Sequence, residues 1–214
     1  HDMKTLLKIF KVLLIFFIVI GIAGVSYLKF GLPNIEPAPE ITIEPTPERI
    51  ERGKYLSNHV SVCMDCHSSR DWTLFSAPPK SENWGAGGEK FTPAEGFPGS
   101  FYAKNITPAA LGSWTDGEIV RAITTGVSKD GQALFPVMPY HSFGKMDQED
   151  IYSIVAYLRT LPAVEHQTPE RSIDFPVNLI INTMPAPAQF MPKPDPSQTL
   201  AYGKYLVTAA SCVD

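Results

Sequence analysis

Residues 62–70 read VCMDCHSSR, and the five residues CMDCH within this stretch decide the fold. Cys63 and Cys66 are three positions apart, so both thiols lie on one face of a single helical turn. Two thiols placed in this way can bond the two vinyl groups of one porphyrin, and His67 then points its imidazole at the iron. The pattern C-x-x-C-H therefore predicts one haem c, bonded to Cys63 and Cys66 and ligated by His67.

The same two cysteines allow three other interpretations. A thioredoxin-like redox pair should lie in a βαβ pattern, which this sequence lacks, and a zinc site would need a second pair of ligands. A plain disulfide is compatible with an exported protein. We favour haem because its attachment occurs outside the cytoplasm, and the N-terminus independently predicts export of this domain.

The N-terminal residues predict an uncleaved membrane anchor. An apolar run extends from Val12 to Leu28, and it lengthens to twenty residues from Ile9 if Lys11 snorkels to the interface. Twenty helical residues span the roughly 30 Å of a hydrocarbon core. Three lysines precede the run and only Lys29 follows closely, which predicts a single pass through the bacterial cytoplasmic membrane, with the N-terminus inside and the haem domain periplasmic. A cleaved signal peptide is the alternative, but its apolar core is usually about 7 to 15 residues long and ends at a small-residue site.

The prolines divide the rest of the chain. Most of the 20 prolines fall in residues 33–47 and 162–196, on either side of a stretch of ordinary composition. The first block, spaced with glutamates, predicts a stiff and solvated tether. We divide the chain into an anchor at 1–30, a Pro/Glu-rich linker at 31–47, a haem domain at 48–161, a Pro-rich connector at 162–199 and the start of a truncated second haem domain at 200–214.

Charge excludes one class of partner. The net charge is −4, and it becomes −7 when residues 1–30 are left out. An acidic exterior argues against nucleic acid as a partner. An acidic exterior is compatible with electrostatic steering of a basic partner. It is equally compatible with a surface charge that only keeps the domain soluble.

Helical periodicity predicts an all-α domain. Residues 147–161 carry an amphipathic stripe that Asp147 caps and Pro162 ends, and Thr115 with Glu118 forms the capping box of a second helix. A third helix covers residues 48–59. Residues 69–113 show no sustained period, and we expect this long loop to wrap the haem, with aromatic side chains lining it, namely Trp72, Trp84, Tyr102 and Trp114.

The sixth iron ligand decides what such a haem does. An open position suits small-molecule chemistry, whereas a thioether gives a potential that favours electron transfer. Met138 in LFPVMPYHSF is our candidate, because Pro136 and Pro139 stiffen the loop that would hold it. Among its rivals, Met146 is expected to pack, Met64 lies inside the attachment turn and cannot reach the opposite haem face, and Met184 and Met191 fall in the Pro-rich connector. His141 could ligate in a different loop register, although a place at the surface or beside a propionate is its more ordinary role.

Several ordered motifs resemble the class I, mitochondrial-type cytochromes c. The closer resemblance is to haem domains of the membrane-associated multihaem cytochrome c subunits of periplasmic alcohol and sugar dehydrogenases. It rests on RGKYL, CMDCH, YAKNITP, GSWTDGEIVRAITTGVSKDG, FPVMPYHSFGKM and EDIYSIVAYLRTLP, over residues 49–161. Those subunits usually carry three haem motifs and no anchor of this kind, whereas this chain has one complete motif and an anchor.

The resemblance implies a fold and a set of site residues. The fold is the class I cytochrome c fold around one haem, in which a glycine of the first helix meets an aromatic residue of the last. The YAKNITP segment would pass near the haem propionates. The corresponding positions are Cys63 and Cys66 as haem attachments, His67 and Met138 as axial ligands, Gly53 and Tyr157 as the helix contact, and Asn105 near the propionates.

These features predict an electron-transfer protein and not an enzyme. The expected donor is a quinol-oxidising complex or a dehydrogenase, and the expected acceptor is a terminal oxidase. One alternative is a fixed electron-transfer subunit of a membrane-bound dehydrogenase or oxidase. An alternative of another class is a haem enzyme or gas sensor with an open sixth site.

The C-terminal segment partly repeats the first motif. GKYLVTAASCVD at 203–214 aligns with GKYLSNHVSVCMDCH at 53–67, and Cys212 takes the place of the first motif cysteine. A chance match of a short segment is the simpler alternative. The repeat predicts that Cys212 begins a second haem attachment, completed in a longer protein.

Overall fold

The computed structural model describes residues 2–212 of the 214-residue chain. Val213 and Asp214, which end the repeated segment, lie outside the described residues. Nine α-helices occur within the described part, in the order α1 (Met3–Ser26), α2 (Pro47–Tyr55), α3 (Cys63–Cys66), α4 (Pro108–Leu111), α5 (Asp116–Thr125), α6 (Tyr140–Phe143), α7 (Gln148–Thr160), α8 (Val177–Ile180) and α9 (Thr199–Ala209). Two five-residue π-helical turns extend α1 and α2, over Tyr27–Gly31 and Leu56–Val60.

The prediction of a helix-rich domain is confirmed, with one small addition. Three short strands form an antiparallel sheet in the order β1 (Lys90–Phe91), β2 (Gly99–Tyr102) and β3 (Ser172–Ile173). Two of these strands have only two residues, which is too short for an alternation to appear in the sequence.

The first and last helices of the haem domain cross in close contact at a glycine. A methyl group on Gly53 of α2 would lie 1.8 Å from the carbonyl oxygen of Ser153 and 2.8 Å from Cβ of Tyr157, both on α7. Only glycine permits the two backbones to approach so closely. The predicted contact between Gly53 and Tyr157 is therefore present.

The helix signals read from the sequence are also present. Thr115 and Glu118 form the capping box of α5, and Gly126 ends that helix with φ of 76°. The Asp147 side chain caps α7. The core lies among α2, α5 and α7, and its fully buried side chains include Leu56, Met64, Met146, Ile151, Ile154 and Val155.

The 31–47 linker is extended and largely exposed, but it is not a free tether at its end. Ile43 is buried, and its N–H donates to Asp116 Oδ2 over 2.8 Å. Arg159 on α7 donates to the other oxygen of the same carboxylate. These contacts fix the last part of the linker on the start of α5.

The 162–199 connector lies along the surface of the haem domain. Its strand β3 pairs with β2, where Gly99 faces Ile173. Further along, the N–H of Gln189 donates to the Gly144 carbonyl over 2.7 Å, and the N–H of Met191 donates to the Met146 carbonyl over 3.3 Å. The connector is therefore a packed strap and not a loose spacer.

Within residues 2–212, one helix is long and apolar enough to cross a membrane, by length and composition. It covers Met3–Gly31, and its most apolar 18-residue window has a mean hydropathy of 2.7 and contains no buried residue. An N-terminal helix with these properties suits an anchor or a signal sequence. Its end contacts the connector, because Asn182 Nδ2 donates to the Leu28 carbonyl over 3.0 Å.

Candidate haem site

The attachment motif forms a single helical turn. Cys63–Cys66 is helical, and the N–H of His67 closes the turn on the Cys63 carbonyl over 2.9 Å. Val62 before it has the left-handed φ of 44°, which separates this turn from the π-helical turn Leu56–Val60. This geometry puts both thiols on one turn and places the imidazole directly after it, as the sequence predicted.

The glycine-rich loop GAGG packs against this turn. The N–H of Gly87 donates to the His67 carbonyl over 2.8 Å, and the N–H of Glu89 donates to the Cys66 carbonyl over 3.3 Å. Gly87 has φ of 83°, and a methyl group there would lie 2.7 Å from the Ala103 carbonyl oxygen. The glycines therefore let a backbone segment lie directly on the motif.

One hydrogen bond fixes the orientation of the His67 ring. Nδ1 lies 2.6 Å from the carbonyl oxygen of Lys104, and an oxygen of this kind can only accept. Nδ1 therefore carries the proton, and the lone pair is on Nε2. Burial also lowers the pKa of His67, which favours the neutral imidazole that a metal requires.

The sequence did not predict the carbonyl of Lys104 as the partner of His67. It lies in the YAKNITP segment, which the resemblance placed near the haem. A backbone acceptor leaves no signature in residue type, so only the segment could be suggested.

The two motif cysteines are free thiols, as is Cys212. Burial raises the pKa of the Cys63 thiol to about 11 and also raises that of Cys66. Neutral, partly enclosed thiols do not suit the low-pKa nucleophile of a redox enzyme. Among residues 2–212, no three or more side chains of His, Cys, Asp and Glu lie together as a metal site, so the zinc interpretation gains no support.

Met138 lies in the predicted stiff loop. It is half-buried and packs against the core, while the N–H of Tyr140 donates to its carbonyl over 2.8 Å. The rivals occupy other environments. Met64 and Met146 are fully buried, and Met146 Sδ lies 3.9 Å from the hydroxyl of Ser61, whereas His141 is exposed.

The structure shows the surroundings of two residues that were expected near the haem. Asn105 Nδ2 donates to the carbonyls of Val164 and His166, and Oδ1 accepts from the N–H and hydroxyl of Thr107. Its amide donors are thus used within the protein, where they hold the connector. Trp72 is 70% exposed, and its predicted place beside the haem stays a prediction.

The site offers a donor set that fits haem c. It combines two free thiols on one turn, an imidazole with Nε2 available, and a thioether in a stiff loop. In addition, the hydroxyl of Tyr140 is buried with no hydrogen-bond partner among the described residues. An unpaired buried donor two residues from Met138 is the kind of group that a porphyrin carboxylate satisfies.

Comparison with known proteins supports the resemblance. The cytochrome c subunit of the quinone alcohol dehydrogenase of Gluconacetobacter polyoxogenes is 29% identical over 170 residues, which cover 74% of this chain and 33% of that subunit. The fructose dehydrogenase cytochrome subunit of Gluconobacter japonicus is 30% identical over 149 residues, covering 67% and 27% of the two chains. A diheme cytochrome c-type protein of Cereibacter sphaeroides is 28% identical over 119 residues, covering 54% and 38%. No family model matches the chain.

These relatives confirm the predicted resemblance to c-type cytochrome subunits of dehydrogenases. By their names, two of them are cytochrome subunits, one of an alcohol dehydrogenase and one of a fructose dehydrogenase. The chain spans about a third of the length of these relatives.

Proposed function

We propose that this chain is a membrane-anchored c-type cytochrome domain that transfers single electrons through one haem c. Cys63 and Cys66 would bond the haem, and His67 and Met138 would be its axial ligands. The observation that carries this proposal is the 2.6 Å contact between His67 Nδ1 and the Lys104 carbonyl, because it leaves Nε2 available for iron.

Each residue of the site has a separate part in this function. Bound haem supplies a one-electron redox couple. The two cysteines would retain it covalently, while the Lys104 carbonyl keeps the His67 ring in a fixed orientation. Met138, between Pro136 and Pro139, would close the sixth position and raise the potential, as a thioether does in electron-transfer haems. A site closed on both sides favours electron transfer over ligand chemistry.

The location and the partners are also proposals. The apolar helix Met3–Gly31 would anchor the protein in the bacterial cytoplasmic membrane, with the N-terminus inside and the haem domain in the periplasm. A dehydrogenase is the donor that the names of the relatives favour. A periplasmic location also allows a quinol-oxidising complex as the alternative donor. It allows a terminal oxidase as the acceptor.

The names of the relatives favour a fixed subunit over a free relay, because they describe subunits of dehydrogenases. Purification from native membranes in mild detergent separates the two arrangements. A fixed subunit should remain with a dehydrogenase at constant stoichiometry through successive columns. Recovery of the cytochrome alone would favour the relay.

We further propose that Cys212 begins a second haem attachment in the native polypeptide. The repeated GKYL supports this, as does the greater length of the relatives, one of which is named a diheme cytochrome. The mass and haem content of the protein from its native source provide the test. Two haems and a mass well above 23.6 kDa are expected, and one haem on a chain ending at Asp214 would contradict the proposal.

The role of Met138 has a direct test against the alternative of a haem enzyme or gas sensor. Ferrous wild-type protein should bind carbon monoxide poorly at neutral pH, and Met138→Ala should bind it readily and have a lower potential. Met146→Leu is the matched control, because Met146 is fully buried in the core and the change conserves volume. Ready binding by the wild type would favour the open-site alternative, and unchanged spectra in Met138→Ala would exclude Met138 as a ligand.

A further inference from the structure

Helix α9 has two faces in very different environments. One face is docked on the haem domain, where Tyr205 is 5% exposed and Ala209 is fully buried. The opposite face is open. Leu200 is 91% exposed, Val207 is 42% exposed, and a methyl group on Gly203 would meet no atom within 4 Å. Positions 200, 203 and 207 have the spacing of a single helical stripe.

The repeated sequence lets α9 be compared with α2, residue by residue. Gly203 corresponds to Gly53, so Leu200 corresponds to Ile50 and Val207 to Ser57. In the first repeat, this stripe faces inward. Ile50 packs on the core, Ser57 is fully buried, and Gly53 receives the backbone of α7.

The tyrosine on the other face of the repeated helix also has opposite environments in α2 and α9. Tyr55 of α2 points outward and is 44% exposed, whereas its counterpart Tyr205 is buried on the haem domain. In α9, therefore, the counterpart of the outward Tyr55 is covered and the stripe that matches Ile50, Gly53 and Ser57 is open, while Leu206 and Ala210, the counterparts of the buried Leu56 and Val60, pack on the first domain. A helix that was merely a C-terminal extension of the first domain would have no reason to reproduce the glycine of the inward face.

We infer that α9 is an element shared by two haem domains, and that its open stripe of Leu200, Gly203 and Val207 receives the closing helix of the second domain. This occupant would be the counterpart of α7 in the same polypeptide. It would cross α9 at Gly203, as α7 crosses α2 at Gly53. The inference rests on the second haem domain proposed above, and it adds how that domain is joined to the first.

Three hydrogen bonds hold the docked face of α9 on the haem domain. The hydroxyl of Tyr205 donates to Asp150 Oδ2 over 2.6 Å, and it accepts from the N–H of Asp147 over 3.2 Å. The hydroxyl of Ser61 donates to the Ala209 carbonyl over 3.1 Å. These contacts tie α9 to the start of α7 and to the segment that directly precedes the haem attachment.

The last of these contacts also makes the two attachment segments neighbours. Ser61 is two residues before Cys63, and Ala209 is three residues before Cys212. Since a chain extends at most about 3.6 Å per residue, the α-carbons of the two cysteines lie within roughly 30 Å. A second haem attached at Cys212 would thus be carried by a segment that is docked on the first haem domain.

Gly203→Ala in the native-length protein tests the inference, because two hypotheses predict opposite signs. On an exposed helix face, alanine is a better helix former than glycine and should stabilise the second domain. Where another backbone crosses the glycine, the added methyl group clashes. We expect haem content to fall from two per chain towards one, and the denaturant midpoint of the second haem domain to decrease.

The first haem domain and other positions of the same protein serve as controls for this experiment. The first haem domain should keep its haem and its midpoint, since a methyl group on Gly203 would meet no atom within 4 Å in residues 2–212. Gly53→Ala should cause the same loss in the first domain instead. Ala201→Val is the control on the same helix, because position 201 corresponds to the exposed Glu51, and it should leave both haems in place.

The contrary outcomes can be told apart. If the unsubstituted native protein carries only one haem per chain, there is no second haem domain to supply the closing helix. That result would overturn both this inference and the proposed second domain. Two haems with an unchanged or stabilised second domain in Gly203→Ala would overturn the shared helix alone. If Gly203→Ala instead abolishes a dimer or releases another subunit, with both haems retained, the stripe contacts a different chain. That result would also overturn the inference.

Discussion

Asp150 joins four segments of the protein, and replacing it by asparagine should measure how firmly they are held. Its side chain is 1% exposed and accepts four hydrogen bonds. Two come from Arg52 on α2, at 3.0 and 2.7 Å, one from Lys193 of the connector at 2.8 Å, and one from Tyr205 on α9 at 2.6 Å. Asp150→Asn conserves the shape, removes the charge, and turns an amide NH₂ towards these donors.

The expected cost follows from burial. Breaking a buried ion pair on one side usually costs about 3–5 kcal/mol. Here the side chains of Arg52 and Lys193 remain 23% and 33% exposed, so both can turn partly to water, and we lower the expectation to about 2–4 kcal/mol. Urea unfolding of the holoprotein at pH 7, followed by far-UV circular dichroism, measures this difference.

A neighbouring residue supplies the control. Glu149 also pairs with an arginine of α2, Arg49, but its side chain is 54% exposed. Glu149→Gln should therefore cost less than about 1 kcal/mol. A double-mutant cycle between Asp150→Asn and Lys193→Met should give a coupling of about 0.5–3 kcal/mol. Equal costs for Asp150→Asn and Glu149→Gln would refute the argument from burial.

Two further predictions concern pH and the connector. Burial by itself would raise the pKa of Asp150, but its hydrogen bonds from Arg52, Lys193 and Tyr205 hold that pKa below its usual value. The contribution of the Asp150 carboxylate to the stability of the fold is therefore complete above the unfolded-state pKa of about 3.9 and is lost as the pH falls below that value. Urea midpoints measured down to about pH 3 should therefore decrease less steeply in Asp150→Asn than in wild type. Asn105→Ala should cost about 2–3 kcal/mol in urea unfolding, because it leaves buried partners unpaired. Asn83→Ala removes one side-chain hydrogen bond to Ser69 and should cost about 1 kcal/mol, and a cost as large as that of Asn105→Ala would contradict the role given to the connector.

Local sequence signals predicted much of this architecture. The C-x-x-C-H pattern predicted the turn at Cys63–Cys66, and the capping residues predicted where α5 and α7 begin. Such features depend on residues close in sequence, which is why they can be read without a structure. The contact of Gly53 with α7 was also anticipated, but from a resemblance and not from any local rule.

Other features were not predictable because they join distant parts of the chain through groups without a residue signature. The Lys104 carbonyl that orients His67 is a backbone atom 37 residues away in sequence. High proline content suggested a solvated linker, yet Ile43 is buried, and within the Pro-rich connector the strand Ser172–Ile173 completes the sheet. Proline removes an N–H donor and limits backbone angles, but it does not prevent its neighbours from packing.

The sequence by itself determined the chemistry of this protein: two thiols and an imidazole on one turn, a candidate thioether between prolines, an apolar helix at the N-terminus and a repeated GKYL segment. Tertiary structure alone decided which nitrogen of His67 is available, which residues hold the connector, and which face of α9 remains open. The physical reason is that covalent attachment and helix formation depend on neighbours in sequence. Ring orientation, burial and helix crossing depend on backbone atoms that only the folded chain brings together.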